Sequence, residues 1–173
     1  HHETHYFALR NINNLTSYYW TVITEKLTNH ADAVTVSNSF LKKRYGGTMI
    51  RHVRDADKFN PDNFDQRALR EKFDLPLNQT LVIFAGTPRS HKGVLELVQA
   101  TDMIDDEFKT VIVGATEEKY SRQIKKVSGD EVIIRGRQPF EEMPKWIAAR
   151  NIVAITQKAT AGSIGQNPAK LFE

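Results

Sequence analysis

The chain has 173 residues, 40% of them hydrophobic, a formal charge of +3 at neutral pH and no cysteine. This length allows one good core, or one domain with part of a second, in a soluble protein. The missing cysteines exclude disulfides and thiolate metal sites and fit a cytoplasmic location. Lys+Arg at 24 against Asp+Glu at 21 suits anionic ligands without demanding nucleic acid, and no apolar run approaches the roughly 20 residues of a membrane span.

In chain order, Asn11 to Asn29 reads as a helix, Ala33 to Val36 as a strand, Phe40 to Tyr45 as a short helix and Met49-Ile50 as a strand edge. Tyr18, Tyr19 and Trp20 are assigned to packing rather than to a carbohydrate platform. Residues 51–63, rich in Asp, Asn and Arg with Pro61, have linker composition, and Phe64 to Phe73 begins a helix leading into a second unit. From Thr80 onward, apolar strands alternate with amphipathic helices. That alternation predicts an α/β fold, a Rossmann-like parallel sheet with helices on both faces.

Its strands are expected at Leu81 to Ala85, Thr110 to Val113, Glu131 to Ile134 and Ile152 to Ile155. Between them, Val94 to Met103 reads as a helix with Leu95, Val98 and Ala100 near its inner side, and Glu117 to Val127 as a charged surface helix. Pro139 to Arg150 reads as a third, with Phe140, Met143, Trp146 and Ile147 facing inward. Pro168 takes the first position of a further helix. A helix beginning six residues from the end lacks a following strand, so the sheet is expected to be incomplete at both ends.

Two stretches carry the chemistry. Gly86-Thr87-Pro88-Arg89-Ser90-His91-Lys92-Gly93 leaves an apolar strand, and Gly162-Ser163-Ile164-Gly165-Gln166-Asn167-Pro168-Ala169-Lys170-Leu171-Phe172-Glu173 closes the chain. Each puts glycine backbone and fixed cations between a strand and a helix, where amides and the helix dipole favour an anion. A solvated loop is the plainer reading of Lys92 and Arg89, and a solvent-facing helix position that of Lys170. For Glu173 it is complementing its own helix's positive end, and for Arg137 a surface position. A Walker phosphate loop is excluded, because His91 stands where that motif has glycine and Gly93 where it has Ser or Thr. Glu3 is in the wrong register for a His-Glu-x-x-His zinc site with His1, His2 and His5, and Asp105-Asp106 is adjacent rather than spaced, so no metal site is expected.

Several motifs follow one another along the chain: Ala31-Asp32-Ala33-Val34-Thr35-Val36-Ser37, Tyr45-Gly46, His52-Val53-Arg54-Asp55-Ala56-Asp57-Lys58-Phe59-Asn60-Pro61, Gly86…Lys92-Gly93, Gly136 and Pro168-x-Lys170-Leu171-Phe172-Glu173. Their order and spacing resemble the retaining glycosyltransferases of family 4, which have the two-lobe GT-B fold. The resemblance implies that residues 1–50 are a remnant of the amino-terminal acceptor-side lobe. Residues 51–63 would be the interlobe linker and 64–173 a truncated nucleotide-sugar-binding lobe. Two positions depart from the family: Thr87 stands where Arg is common, and Gly165 where the first of two glutamates is common.

The same resemblance implies transfer of a hexose-type sugar, with retention, from a nucleoside diphosphate-sugar to a carbohydrate, lipid or small-molecule acceptor, with no cofactor and no metal. Lys92 and Arg89 would stabilise the departing diphosphate. Gly86, Thr87, Gly93, Gly136, Arg137, Gly165, Lys170 and Glu173 would line the nucleotide-sugar, with Glu173 on ribose hydroxyls and the base beside Gly136 and Arg137. Peripheral membrane association would fall to the acceptor-side lobe, and nucleic acid is not an expected partner. The alternative is a non-catalytic nucleotide-binding or scaffold lobe of the same fold. A sugar epimerase would need paired acid/base carboxylates that the sequence does not display.

Overall fold

A computed structural model describes residues 15–104, 107–115, 119–128, 132–160, 163, 165, 166 and 168. His1, His2, His5, Asp105, Asp106, Gly162, Lys170, Glu173 and the helix expected after Pro168 lie outside the described residues. The described residues form two compact units. One comprises those in His1–Val53 and Ala159–Ala169, and the other those in Arg54–Lys158.

In the first unit, α1 (Leu15–Leu27), β1 (Thr35–Val36), α2 (Ser39–Tyr45) and β2 (Thr48–Met49) follow in order. The two strands run parallel, with Thr35 opposite Thr48 and Val36 opposite Met49. Helix α2 starts where Asn38 Oδ1 accepts from the Leu41 amide at 2.8 Å, an N-cap that satisfies an otherwise orphaned donor. Glu25 of α1 holds it in place, accepting from Arg44 and from the Tyr45 hydroxyl at 3.0 Å each. Tyr19 and Trp20 are exposed here, at 60% and 66%, rather than packed as expected.

The second unit holds α3 (Gln66–Lys72), β3 (Thr80–Ala85), α4 (Val94–Asp102), β4 (Phe108–Val113), α5 (Lys119–Ser128), β5 (Val132–Arg135), α6 (Met143–Ala148) and β6 (Ile152–Val153). Its four strands are all parallel, in the order β5-β4-β3-β6. Register places Ala85 beside Val113 and Val113 beside Arg135, so β3, β4 and β5 end level.

Period-two alternation along β3 assigns its side chains to two cores. Val82 and Phe84 pack with Val94, Leu97 and Val98 of α4 and Ile124 of α5. Leu81 and Ile83 pack on the opposite face with Leu69 of α3 and Trp146 of α6. Moving from β3 to β4 to β5 puts α4 and α5 on one face, and the return from β5 to β6 puts α6 on the other, as crossovers of constant hand require. The direction of travel across the sheet therefore reverses between β3 and β6, opening a switch point at their carboxyl ends.

Two inward assignments need correction. Helix α4 buries Val94, Leu97, Val98 and Thr101, a stripe at steps of three, four and seven residues that leaves Ala100 exposed. Phe140 is 56% exposed, because a 3₁₀ turn over Phe140–Glu142 precedes α6 and resets the helical phase at Met143. Trp146 and Ile147 are buried as the periodicity predicts, and Trp146 stacks on Phe73 with centroids 3.9 Å apart.

At the amino end of the sheet, Arg70 is 95% removed from solvent. Its Nε donates to Ala149 O at 2.9 Å and its Nη1 to Leu77 O and Gln79 O at 3.2 and 3.1 Å. Its Nη2 donates to Asn151 Oδ1, which also accepts from the Leu81 amide at 2.8 Å. One guanidinium fork thus fixes α3, the entry to β3 and the turn before β6, an arrangement that needs planar donors in several directions. Arg70→Lys should cost about 1–3 kcal/mol by leaving buried carbonyls unpaired. Urea unfolding should show a lower midpoint with an unchanged slope.

Candidate functional site

The loop from Gly86 to Gly93 lies at the carboxyl end of β3, beside the switch point. Gly86 N donates to Val113 O at 2.7 Å, and Gly114 N reaches both Arg135 O and Gly136 O at 3.1 Å, which continues the ladder past the strand ends. A Cβ on Gly114 would lie 3.1 Å from the Gly86 carbonyl carbon, so the backbones after β3 and β4 approach too closely for a larger residue. Gly86, Gly114 and Gly136 form one edge of bare backbone across three strands. Space beyond Gly136 is open, with no atom within 4 Å of where its Cβ would be, and Arg137 beside it is exposed.

Within the loop, a 3₁₀ turn over Ser90–Lys92 is closed by Lys92 N donating to Arg89 O at 2.9 Å. Gly93 follows at φ +63°, the left-handed conformation that lets the chain turn straight into α4. The segment after β6 clasps this turn. Thr156 Oγ1 donates to Lys92 O at 2.8 Å and Lys158 N donates to His91 O at 3.0 Å, while the Thr156 carbonyl sits where a Gly93 side chain would begin. Tyr120 of α5 adds a hydroxyl that accepts from the Leu95 amide at 3.3 Å, in the first turn of α4.

Lys92 folds back over the loop, its Nζ donating to Thr87 O at 2.9 Å. Burial, and then the Arg89 charge, push its pKa below the ordinary lysine value. Arg89 is exposed and keeps its fork in solvent. The nearest acid along the chain, Glu96, is already paired with Lys158, which holds the Glu96 carboxyl below its ordinary value. The loop therefore presents two side-chain cations, glycine backbone and a helix start, with its nearby carboxylate neutralised. An anion placed here would relieve the repulsion between Arg89 and Lys92.

Of the residues singled out in the sequence, Gly86, Thr87, Arg89, Lys92 and Gly93 share this loop, and Gly136 and Arg137 continue the same sheet edge. Gly165 belongs to the other unit, where its carbonyl accepts from Asn38 Nδ2 at 3.0 Å and a Cβ would lie 3.3 Å from Leu41 Cδ2. Lys170 and Glu173 lie outside the described residues. Sequence reasoning missed Thr156, Lys158, Glu96 and Tyr120. Their only sequence signal is position just after β6 or within a helix flanking the loop. A separate cavity of about 620 Å³ opens between residues 55–64 and 140–145 of the second unit, and no sequence-predicted site residue lines it.

Gly93→Ala should place a methyl group against the Thr156 carbonyl at a strained φ, costing about 1–3 kcal/mol or more. A lowered Tm checks this. His91 offers a pH test. Burial, then Lys92 and Arg89, lower its pKa, so the native state favours the neutral ring. The stability this contributes is complete above the unfolded value of about 6.5 and is lost as pH falls towards the lower folded value. The Tm of the wild type minus that of His91→Gln should therefore shrink between pH 7.5 and 5.5, and parallel curves would contradict the assignment.

Comparison with known proteins places the chain in a family. Residues 65–165, more than half of the chain, match the profile described as Glycosyl transferases group 1. A D-inositol 3-phosphate glycosyltransferase of Xylanimonas cellulosilytica is 28% identical across 66% of this chain and 31% of its own length. Sucrose-phosphate synthase of Thermosynechococcus elongatus superposes with a TM-score of 0.67 at 20% identity, covering 81% of this chain and 38% of that one. Anabaena HepE in complex with UDP and glucose gives 0.67 at 19%, covering 78% and 41%. The catalytic domain of starch synthase IV from Arabidopsis thaliana, bound to ADP and acarbose, gives 0.61 at 14%, covering 86% and 38%. The chain spans less than half the length of each of these relatives. The sheet has the parallel α/β fold of GT-B glycosyltransferase structures, and the profile match shows that the chain belongs to the group 1 glycosyl transferases.

Proposed function

We propose that this chain carries the donor side of a glycosyltransferase that moves a hexose-type sugar, with retention, from a nucleoside diphosphate-sugar to an acceptor. The observation that carries the reading is Lys92, bent over the Gly86–Gly93 turn with its ammonium 2.9 Å from Thr87 O and backed by the Thr156 clasp. In the transfer, the bond from the anomeric carbon to the diphosphate oxygen breaks and its electron pair stays on the diphosphate. Charge then develops where Lys92 and Arg89 can meet it, and a closed site makes such a contact worth about 2–4 kcal/mol of barrier. Gly136 and Arg137 offer the open strand end to the base. Lys170 and Glu173 are assigned to the sugar-nucleotide on family resemblance, and so are stereochemistry, membership of family 4 and independence from metal or cofactor. Carbohydrate, lipid and small-molecule acceptors all fit this reading. The cysteine-free composition supports a cytoplasmic location.

A non-catalytic nucleotide-binding lobe is a second reading, favoured by Thr87 in the position where the family commonly has Arg. Turnover separates the two, since donor hydrolysis or transfer excludes it. Calorimetry with UDP, GDP and ADP tests the shared site. Lys92→Ala should weaken nucleoside diphosphate binding about tenfold or more, for a charged contact of about 1.5–3 kcal/mol. Binding of the nucleoside alone should stay unchanged. Unaltered diphosphate affinity would overturn the role given to Lys92.

A further inference from the structure

No residue of the Gly86–Gly93 loop lines the cavity between residues 55–64 and 140–145, which has room for a small organic ligand, its volume of about 620 Å³ falling within the usual range of about 300–1,000 Å³. Phe59, Phe64, Phe140 and Pro144 give it apolar walls. Phe140 is the residue whose periodicity pointed inward and which stands 56% exposed at this rim. An exposed ring on a cavity wall leaves a flat apolar face available to a ligand.

The polar lining narrows the class of ligand. Both wall lysines already have acidic partners: Lys58 pairs with Asp55 at 3.3 Å and Lys145 with Glu142 at 2.6 Å. Asp57 and Glu141 also line the cavity, and neither carboxylate has an ion pair or hydrogen bond among the described residues. The walls thus offer hydrogen-bond acceptors beside aromatic faces. Formal charge around the cavity is nevertheless balanced once the neighbouring Arg54 and the Lys72–Glu142 pair are counted, with Arg54, Lys58, Lys72 and Lys145 against Asp55, Asp57, Glu141 and Glu142. The Arg54 guanidinium lies 5.6 Å from the Phe140 ring centroid and so takes up the ring's affinity for cations on that side. A ligand carrying several hydroxyl donors, an apolar face and no charge fits this lining. An ammonium ligand would find the Phe140 ring already faced by Arg54, and an anion would meet two unpaired carboxylates.

We infer that this cavity is a saccharide-binding pocket separate from the Lys92 loop, in which a neutral sugar ring lies against Phe140 and donates hydroxyls to Asp57 and Glu141. The inference stands apart from the donor-site reading, because it requires sugar recognition but not nucleotide binding or transfer.

The test uses the whole chain with methyl α-glucoside, methyl α-mannoside, methyl α-galactoside and maltose as probes, followed by saturation-transfer NMR and chemical-shift titration. At least one should bind, with a millimolar dissociation constant and saturation strongest on ring C–H protons. Phe140→Ala and Glu141→Gln change exposed side chains, and each should weaken that binding fivefold or more. Affinity for UDP should stay within twofold, a readout independent of the pocket. No binding by any probe at 50 mM (about 1.8 kcal/mol in standard free energy) would overturn the proposal. So would sugar affinity unchanged in both variants, or binding of tetramethylammonium in place of every sugar. Loss of UDP binding by Lys92→Ala with sugar binding intact would support two separate sites.

Discussion

The site rests on the close approach of two backbones, the turn at Gly93 and the segment that follows β6. Gly93 adopts φ +63° directly beneath the Thr156 carbonyl, and Thr156 and Lys158 in turn bond to the carbonyls of Lys92 and His91. A turn held from one side only would leave Lys92 free to swing with its loop. Clasped from both strands of the switch point, the loop fixes the start of α4 and the base of the lysine side chain together. In the proposed transfer, preorganised charge of this kind would meet a developing anion without reorganising at the moment of reaction.

The opposite end of the sheet explains why the clasp can form. Asn151 N donates to Leu81 O and Asn151 Oδ1 accepts from the Leu81 amide, so the start of β6 is locked to the start of β3. Arg70 completes that lock with bonds to Ala149, Leu77, Gln79 and Asn151. β6 is only two residues long, and its register against Val82 and Ile83 sets where Thr156 arrives four residues beyond Ile152. A slip of one residue would turn every side chain of the strand to the other face and carry the threonine away from Gly93. A buried guanidinium that contacts no candidate ligand residue therefore helps to set the geometry of the loop.

Charge is distributed to the same end. Glu96, on the first turn of α4, would oppose a bound anion if left alone, and Lys158 from the clasp neutralises it. Arg89 and Lys92 remain, and burial and the Arg89 charge hold the Lys92 ammonium below its ordinary pKa. The loop is electrostatically unsatisfied in a way that an anion corrects. The cavity near Phe140 differs in kind, with balanced charges and aromatic walls. The larger unit thus presents one surface suited to phosphate and another suited to a neutral, hydroxylated ring.

Much of this was legible in the residue order because it depends on neighbours. The apolar runs of β3 to β6, the glycines after β3, β4 and β5, and the cations at Arg89 and Lys92 all follow from local pattern and turn chemistry. Phase errors had two sources. Ala100 was placed two residues after Val98, off the three- and four-residue spacing of the buried stripe, and Phe140 was released by a 3₁₀ turn that periodicity does not encode. Only tertiary structure decided that Thr156 and Lys158, more than sixty residues along the chain, would close over His91 and Lys92. It also decided that Lys158 would neutralise Glu96 and that Arg70 would be buried. The reason is that strand order and register bring distant segments together. Sequence spacing fixes what each segment is, and packing fixes which one it meets.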